Sequence, residues 1–158
     1  QALGAVAGRI NGRFGEASWT PIRYVNRAHS RSALAGLYRS ARVGVVTPLR
    51  DGMNLVAKEY VAAQDANDPG VLILSWCAGA ADECRDALLV NPYDLELVAD
   101  AIARALMMPP SERQERHSHI LATLSQNSSD VWGARFLQSL EQLEVPGSDE
   151  ESLQRYVI

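Results

Sequence analysis

Three short apolar runs without polar alternation constrain the fold more than any other feature of this sequence. They lie at residues 43–47, 71–75 and 87–90, and helix-like segments separate and follow them. Such runs are typical of strands that are buried on both faces, and strands that alternate with helices form parallel sheets. The sequence therefore predicts an α/β fold, a Rossmann-like parallel sheet with flanking helices.

Helix signals fill the segments around these runs. Ser30, Asp94 and Ser111 are suitable N-terminal residues, and apolar residues recur at helical spacing after them. A β-prone run behind Pro21 predicts one further strand at residues 22–25. The predicted helices cover residues 1–11, 30–40, 54–66, 94–108, 111–125 and 129–144, with a short helix that opens at 79–81.

The predicted organisation is one domain over residues 1–145 and a polar tail over residues 146–158. The last helix of the domain is expected to bury its large apolar residues, Val131, Trp132, Phe136 and Leu140. Residues 1–11 read as the end of a helix whose beginning is missing. We therefore expect the chain to be a fragment of a longer protein.

Charge and hydropathy argue against several classes of protein. The formal net charge of −4 is unsuited to a dedicated nucleic-acid-binding domain. We expect no membrane span, because no apolar run reaches roughly 20 residues, and no secretory leader. Cys77 and Cys84 lack the spacing of a redox pair or a metal site, so we expect free thiols in a cytoplasmic protein.

The loop after the first apolar run, residues 48–54, is the predicted ligand site, because open parallel sheets bind ligands at the carboxyl ends of their strands. Gly52 allows either a close approach of the backbone to a ligand or a positive φ. The helix that follows begins with N–H groups without partners inside the helix, and such an end binds phosphate. The donors expected there are Met53, Asn54, Leu55 and Val56.

Two carboxylates flank this helix start. Asp51 can hold sugar hydroxyls, and Glu59 points back toward the site and can accept hydrogen bonds from a ribose diol. Each residue also has a structural interpretation. Asp51 can be an N-terminal cap and Gly52 a turn glycine, whereas Glu59 can be a solvated partner of Lys58 or Arg50. Spacing alone leaves both interpretations open.

The letters of this loop carry a resemblance. Residues 47–65, TPLRDGMNLVAKEYVAAQD, are similar, nearly letter for letter, to the donor-site segment of the trehalose-6-phosphate synthase family. The resemblance extends over residues 8–145, and its further matching segments are 8–15, 19–22, 70–75, 78–81 and 88–92.

The resemblance implies the C-terminal domain of a GT-B glycosyltransferase, in which two Rossmann-like domains face each other across a cleft. The implied reaction transfers glucose from UDP-glucose to glucose 6-phosphate with retention. It forms trehalose 6-phosphate and UDP and needs no metal or other cofactor. The implied mechanism is front-face: the leaving phosphate helps to deprotonate the attacking hydroxyl, and no protein nucleophile takes part.

The family motif also implies roles for single residues. It assigns donor glucose to Asp51, diphosphate and sugar contacts to the backbone of residues 52–55, and the ribose to Glu59. By register, Ala28 and His29 occupy further donor-site positions, where the family more often has His followed by an aromatic residue. His29 can equally be a surface-loop histidine.

Other parts of the implied machinery lie upstream of residue 1 in the family. They are basic residues for the diphosphate, the acceptor-binding residues and a catalytic-site His of the N-terminal domain. The isolated chain is therefore expected to be inactive. Its expected partner is the N-terminal domain, and a homo-oligomer is also compatible with the sequence. We expect Lys58 on the helix surface, Arg50 in a structural ion pair, and His117 and His119 on a solvated helix face.

Two alternatives stay open. A glucosylglycerol-phosphate synthase, which uses ADP-glucose and glycerol 3-phosphate, shares much of this segment, although Met53 and residues 60–64 favour the trehalose branch. A non-catalytic module that binds a sugar nucleotide or a partner chain is the second alternative. The intact Asp51, Asn54 and Glu59 argue against it.

Overall fold

The computed structural model describes residues 2–142, so the tail predicted at 146–158 lies outside the described residues. The strands are β1 (Val43–Val46), β2 (Val71–Ser75) and β3 (Leu88–Val90), and Gly79–Asp82 forms a 3₁₀ turn. No helix in this part of the chain is long and apolar enough to cross a membrane. The helices are α1 (Ala2–Phe14), α2 (Arg31–Ser40), α3 (Leu55–Ala63), α4 (Leu95–Met107), α5 (Pro110–Gln126) and α6 (Ser129–Glu141).

The chain forms two compact units, of which the first is Gln1–Leu34. In this unit the Asn11 side chain of α1 holds Ile22, accepting from its N–H at 2.9 Å and donating to its carbonyl at 2.8 Å. The strand predicted at residues 22–25 is wrong. No described residue pairs with this segment as a ladder, and Tyr24 and Val25 are more than half exposed.

The second unit, from Ala35 onward, holds a parallel sheet of three strands in the order β1-β2-β3. Val43 pairs with Val71, and Ile73 pairs with Leu88. This sheet with its flanking helices confirms the predicted fold class. Burial on both faces, however, is complete only in β2. Val45 of β1 is 45% exposed, because a strand with a single neighbour in the described residues is covered less well.

Side-chain alternation along β2 divides the core into two clusters. Leu72 and Leu74 face α3 and α5, where they pack with Ala57, Val61 and Ile120. Val71 and Ile73 face α4 and pack with Ala101, Ala105 and Met108. Helices therefore pack against both faces of the central strand, and this packing holds the two ends of the strand in place within the sheet.

Two predictions about helix faces are wrong. Trp132, Phe136 and Leu140 of α6, which were expected to be buried, are 65%, 49% and 47% exposed, and the two aromatic rings stack on each other with centroids 5.3 Å apart. His117 of α5 is buried rather than solvated, and its ring Nε2 lies 3.1 Å from the carbonyl oxygen of Val61, because α5 packs on α3. His119 is exposed, as predicted.

Helix boundaries also differ in detail. The helix predicted from Ser111 begins at Pro110, since proline suits the first helical position, where its missing N–H costs nothing. The helix predicted to reach residue 66 ends at Ala63, where Gln64 adopts an extended conformation.

A charged cluster around Asp68 fixes the amino-terminal edge of the sheet. Arg42, just before β1, donates to both carboxylate oxygens of Asp68 at 2.9 and 3.0 Å. The buried Arg113 of α5 lies 2.6 Å from one of them. Hydrogen bonds from Arg42, and then from Arg113, hold the pKa of Asp68 well below its usual range.

We expect Asp68→Asn to lower the melting temperature at neutral pH, because it removes the charge that both arginines contact. Asp68 stays ionised to a lower pH in the folded chain than in the unfolded chain, where its pKa is about 3.9. Its stabilisation is therefore complete above about pH 5 and is lost as the pH falls through the folded pKa. Melting curves of both forms from about pH 7 to about pH 2 should keep most of their difference at about pH 4 and approach each other only below about pH 3.

The matched control is Asp65→Asn, which removes a carboxylate with one exposed arginine partner, Arg39. It should lower the melting temperature less than Asp68→Asn at neutral pH. A difference between wild type and Asp68→Asn that stays constant across the whole pH range would contradict this account of the cluster.

Candidate functional site

The loops that follow β1 and β2 lie side by side at the carboxyl edge of the sheet. The N–H of Asp51 donates to the Cys77 carbonyl at 3.2 Å, and the N–H of Gly79 donates to the Asp51 carbonyl at 3.0 Å. A third bond joins the N–H of Ala80 to the Met53 carbonyl at 2.7 Å. These three bonds extend the β1–β2 pairing into the loops and fix the backbone of residues 51–53.

Two glycines meet in this contact, and they differ in what they require. A Cβ at Gly79 would collide with the carbonyl oxygen of Gly52, so only glycine fits at position 79. A Cβ at Gly52 would meet nothing, and its φ lies outside the left-handed region. The positive φ considered for Gly52 is therefore wrong, and its bare backbone faces open space, which leaves room for a ligand to approach.

The left-handed residue of the loop is Asn54, with φ 74°. Its side-chain oxygen accepts the N–H of Ala57 at 2.9 Å, which makes Asn54 the N-cap of α3. Its side-chain nitrogen donates to Oδ2 of Asp51 at 2.9 Å. Asn tolerates this conformation because its short polar side chain hydrogen-bonds locally. The interpretation of Asp51 as the cap of α3 is therefore wrong.

The Asp51 carboxylate stabilises the loop by accepting hydrogen bonds from other residues of the same loop. Its Oδ1 accepts the N–H of Met53 at 3.1 Å, and its Oδ2 accepts the bond from Asn54. The carboxylate is half-buried and keeps further acceptor positions on both oxygens. The expectation of an unpaired Met53 N–H is therefore wrong, because this donor is used within the loop.

The start of α3 nevertheless keeps free donors. The N–H groups of Asn54, Leu55 and Val56 donate to no group in the part of the chain that the structure describes. Leu55 and Val56 are exposed, and no acidic side chain stands in the first turn of the helix. The positive end of the helix dipole is thus open to solvent beside Asp51, and its free donors suit an anion.

Glu59 is exposed on the second turn of α3 and makes no hydrogen bond or ion pair with any residue of the range 2–142. Lys58 instead lies 2.6 Å from Glu83, and only 21% of its side chain is exposed. The interpretation of Glu59 as a partner of Lys58 is therefore wrong, as is the placement of Lys58 on an open surface. The expected ion pair of Arg50 is also absent among the described residues.

Both loops line an open cleft of about 390 Å³. The first loop contributes Arg50, Asp51 and Gly52, and the second contributes the residues that sequence reasoning missed, Trp76, Cys77, Ala78, Gly79, Ala81 and Asp82. The signal that could have found them is the rule already applied to β1, because β2 also ends at this edge.

Both cysteines are free thiols, as predicted. Cys77 lies in the cleft, whereas Cys84 is buried in the core, where burial raises the pKa of its thiol to about 11. No group of three or more His, Cys, Asp or Glu side chains suited to a metal ion occurs among residues 2–142.

His29 belongs to the first unit, on the segment before α2, and its side chain is half-buried. Ala28 beside it is exposed. The donor-site role of these two positions stays a prediction, and so does the alternative of a loop histidine.

Comparison with known proteins finds a matching family profile and similar chains. The profile of Glycosyltransferase family 20 matches residues 1–142. A trehalose-6-phosphate synthase of Enterobacter sp. (strain 638) is 53% identical over 96% of this chain and 32% of its own length. The chain thus spans about one third of the length of the curated relatives it matches.

Two solved structures are similar in shape as well as in sequence. An alpha,alpha-trehalose-phosphate synthase (UDP-forming) from Burkholderia xenovorans in complex with glucose-6-phosphate has a TM-score of 0.86 at 56% identity, covering 89% of this chain and 31% of that one. A trehalose-6-phosphate structure from E. coli bound with UDP-2-fluoro glucose has a TM-score of 0.86 at 52% identity, with the same coverage, 89% and 31%.

The left-handed backbone at Asn54 generates a stability prediction. Asn54→Ala loses the cap and places a side chain without local hydrogen bonds at positive φ, so it should cost about 2–3 kcal/mol of unfolding free energy. Asn54→Gly should cost about 1 kcal/mol less, because glycine adopts positive φ freely. Urea denaturation of the chain measures both variants.

Asp94 provides the matched control, because it caps α4 through the N–H of Leu97 but has an ordinary φ of −99°. The difference between its Ala and Gly variants should be smaller than that at Asn54, because Asp94 is not at positive φ. Equal differences at the two caps would show that the left-handed conformation of Asn54 carries no strain.

Proposed function

The chain belongs to glycosyltransferase family 20, and we propose that it supplies the donor-binding half of a retaining glucosyltransferase. The proposed reaction transfers glucose from UDP-glucose to glucose 6-phosphate and forms trehalose 6-phosphate and UDP. One observation carries the proposal. The start of α3 opens to solvent with unpaired N–H donors between two carboxylates, Asp51 and Glu59.

The unpaired donors suit the diphosphate of the nucleotide sugar. The N–H groups of Asn54, Leu55 and Val56 point out of the first turn of α3, and the helix dipole adds positive potential at the same place. The open space at Gly52 lets phosphate oxygens reach the backbone. Because these donors are fixed by the cap and by the adjoining loop, they need no rearrangement when charge develops on the leaving UDP.

The two carboxylates suit the two sugars of the donor. Asp51 is half-buried beside the open cleft, and its remaining acceptor positions suit glucose hydroxyls. Glu59 is exposed and uncommitted, five residues beyond the cap, which is roughly 7 Å along the helix axis. Such an acceptor suits the ribose diol, on the nucleoside side of the diphosphate.

Related proteins support this choice of substrates. Among proteins similar to this chain, one is described in complex with glucose-6-phosphate and another bound with UDP-2-fluoro glucose. We extend both ligand classes to the protein that contains this chain. The family in which this chain is placed is the family predicted from its sequence.

In the proposed mechanism this chain binds the donor, orients its anomeric carbon and stabilises the departing diphosphate. The attacking hydroxyl belongs to glucose 6-phosphate, and the leaving phosphate helps to remove its proton on the same face of the sugar. Retention by this route needs no protein nucleophile, so we assign none to the described residues. Rate enhancement then depends on orientation and on charge stabilisation. We propose no metal or other cofactor.

We propose that the acceptor site and further basic residues belong to an N-terminal domain that completes the enzyme. The exposed aromatic pair on α6, Trp132 and Phe136, supports such a partner, because large apolar surface of this kind is usually covered by protein. We also propose a cytoplasmic location.

We expect Glu59→Ala to weaken UDP binding by about 1.5–3 kcal/mol, roughly a 10- to 150-fold rise in Kd, because it removes a charged acceptor for the ribose hydroxyls. Calorimetric titration of the full-length protein with UDP measures the change. Glu115→Ala, which removes an equally exposed glutamate from α5, is the matched control and should leave the Kd unchanged.

A parallel titration with ADP separates the open alternatives. Preference for UDP supports the proposed donor, whereas preference for ADP would favour the glucosylglycerol-phosphate branch. If a folded full-length protein bound neither nucleotide, the proposed function would be contradicted.

A further inference from the structure

We infer that Lys58 and Glu83 form a positioning ion pair that fixes the nucleotide-binding loop, residues 51–54, against the loop after β2. This inference rests on the proposed function, because its readout is the affinity of the site for the nucleotide. Neither residue is assigned a contact with the ligand. Their effect is exerted through the backbone of the loops that they join.

The ion pair is short and largely shielded from water. Lys58 Nζ lies 2.6 Å from Glu83 Oε1, and the two side chains are only 21% and 28% exposed. The other oxygen of Glu83, Oε2, is buried and has no hydrogen-bond donor among the described residues. The Glu83 carboxylate therefore depends on Lys58 for compensation of its charge, and the loss of that partner leaves a poorly solvated anion.

The position of the pair closes a ring of contacts around the loop. Lys58 lies one turn beyond the cap Asn54, and Glu83 directly follows the 3₁₀ turn. The same turn begins at Gly79, whose N–H is bonded to the Asp51 carbonyl, and continues with Ala80, which is bonded to Met53. Residues 51–54 are thus held at one end by backbone bonds and at the other by the ion pair through α3.

Small displacements of the residues in this ring of contacts also displace the backbone of the ligand site. Without Lys58, the largely buried carboxylate of Glu83 gains hydration when the end of the 3₁₀ turn moves toward solvent. Gly79, four residues earlier, packs so closely on the Gly52 carbonyl that no Cβ fits between them. A displacement of the turn therefore shifts Gly52 and the free donors at the start of α3.

A second ion pair, near the opposite end of α3, provides the control. Arg39 lies 2.6 Å from Asp65, just beyond the carboxyl end of α3, but the side chains are 56% and 44% exposed. It has the same separation as the Lys58–Glu83 pair and lies away from the loop at residues 51–54. Arg39→Met therefore tests for the effect of losing an ion pair without disturbing the ring.

Glu83→Gln separates positioning from simple electrostatics. Removal of a negative charge near the site would strengthen the binding of an anionic nucleotide if long-range charge alone mattered. Positioning predicts the opposite sign. We expect Glu83→Gln to raise the Kd for UDP about fivefold and Lys58→Met to raise it about tenfold, because the second variant strands the buried carboxylate.

The experiment uses the full-length protein with UDP as the probe, and UDP-glucose and glucose 6-phosphate in the kinetic assay. Wild type, Lys58→Met, Lys58→Arg, Glu83→Gln and Arg39→Met are compared by calorimetry, kinetics and melting temperature. The expected result is a higher KM for the donor in Lys58→Met and Glu83→Gln with an unchanged KM for the acceptor. Lys58→Arg, which keeps the charge pair, should retain most of the affinity, and Arg39→Met should bind UDP as wild type does.

Each outcome has a defined meaning. If wild type binds no UDP, the proposed function fails and this inference fails with it. If wild type binds UDP and Glu83→Gln binds it equally well or better, only the inference is overturned. Should Lys58→Met not fold, Glu83→Gln decides the question in the same assays, since it keeps the shape of the side chain.

Discussion

The three backbone hydrogen bonds between the loop after β1 and the loop after β2 are the contacts on which the candidate site depends. They continue the pairing of the two strands beyond Val46 and Ser75, so the buried central strand positions a loop that carries no regular structure of its own. Glycine at position 79 makes the approach of the two backbones possible. Packing of the apolar core around the central strand therefore also positions the loops of the polar site.

A single unusual conformation directs the loop into α3. Asn54 turns the chain through positive φ, caps the helix with its side-chain oxygen and holds Asp51 with its side-chain nitrogen. The helix start is consequently satisfied at Ala57 but open at the three preceding N–H groups. That combination fixes free donors and a carboxylate close together in the chain, which suits the proposed electrostatic stabilisation of a leaving diphosphate.

The sequence allowed the parallel sheet and the family to be predicted because both depend on local signals. Buried strands have continuous apolar runs, and the letters of residues 47–65 carry the family pattern. Contacts between distant segments were not predictable. No local signal indicates that Lys58 contacts Glu83, that His117 lies under α3, or that Asn54 rather than Gly52 takes the positive φ. Residues 22–25 have strand propensity, but a strand also needs a partner.

Hydrogen–deuterium exchange of the full-length protein with and without UDP is the most direct test of the central claim. The account predicts that UDP slows amide exchange at residues 54–56, where the unpaired donors of α3 lie, and leaves exchange in the middle of α5 unchanged. If UDP bound and slowed exchange elsewhere while these three amides stayed as fast as in the free protein, the start of α3 would not be the diphosphate site, and the account would be wrong.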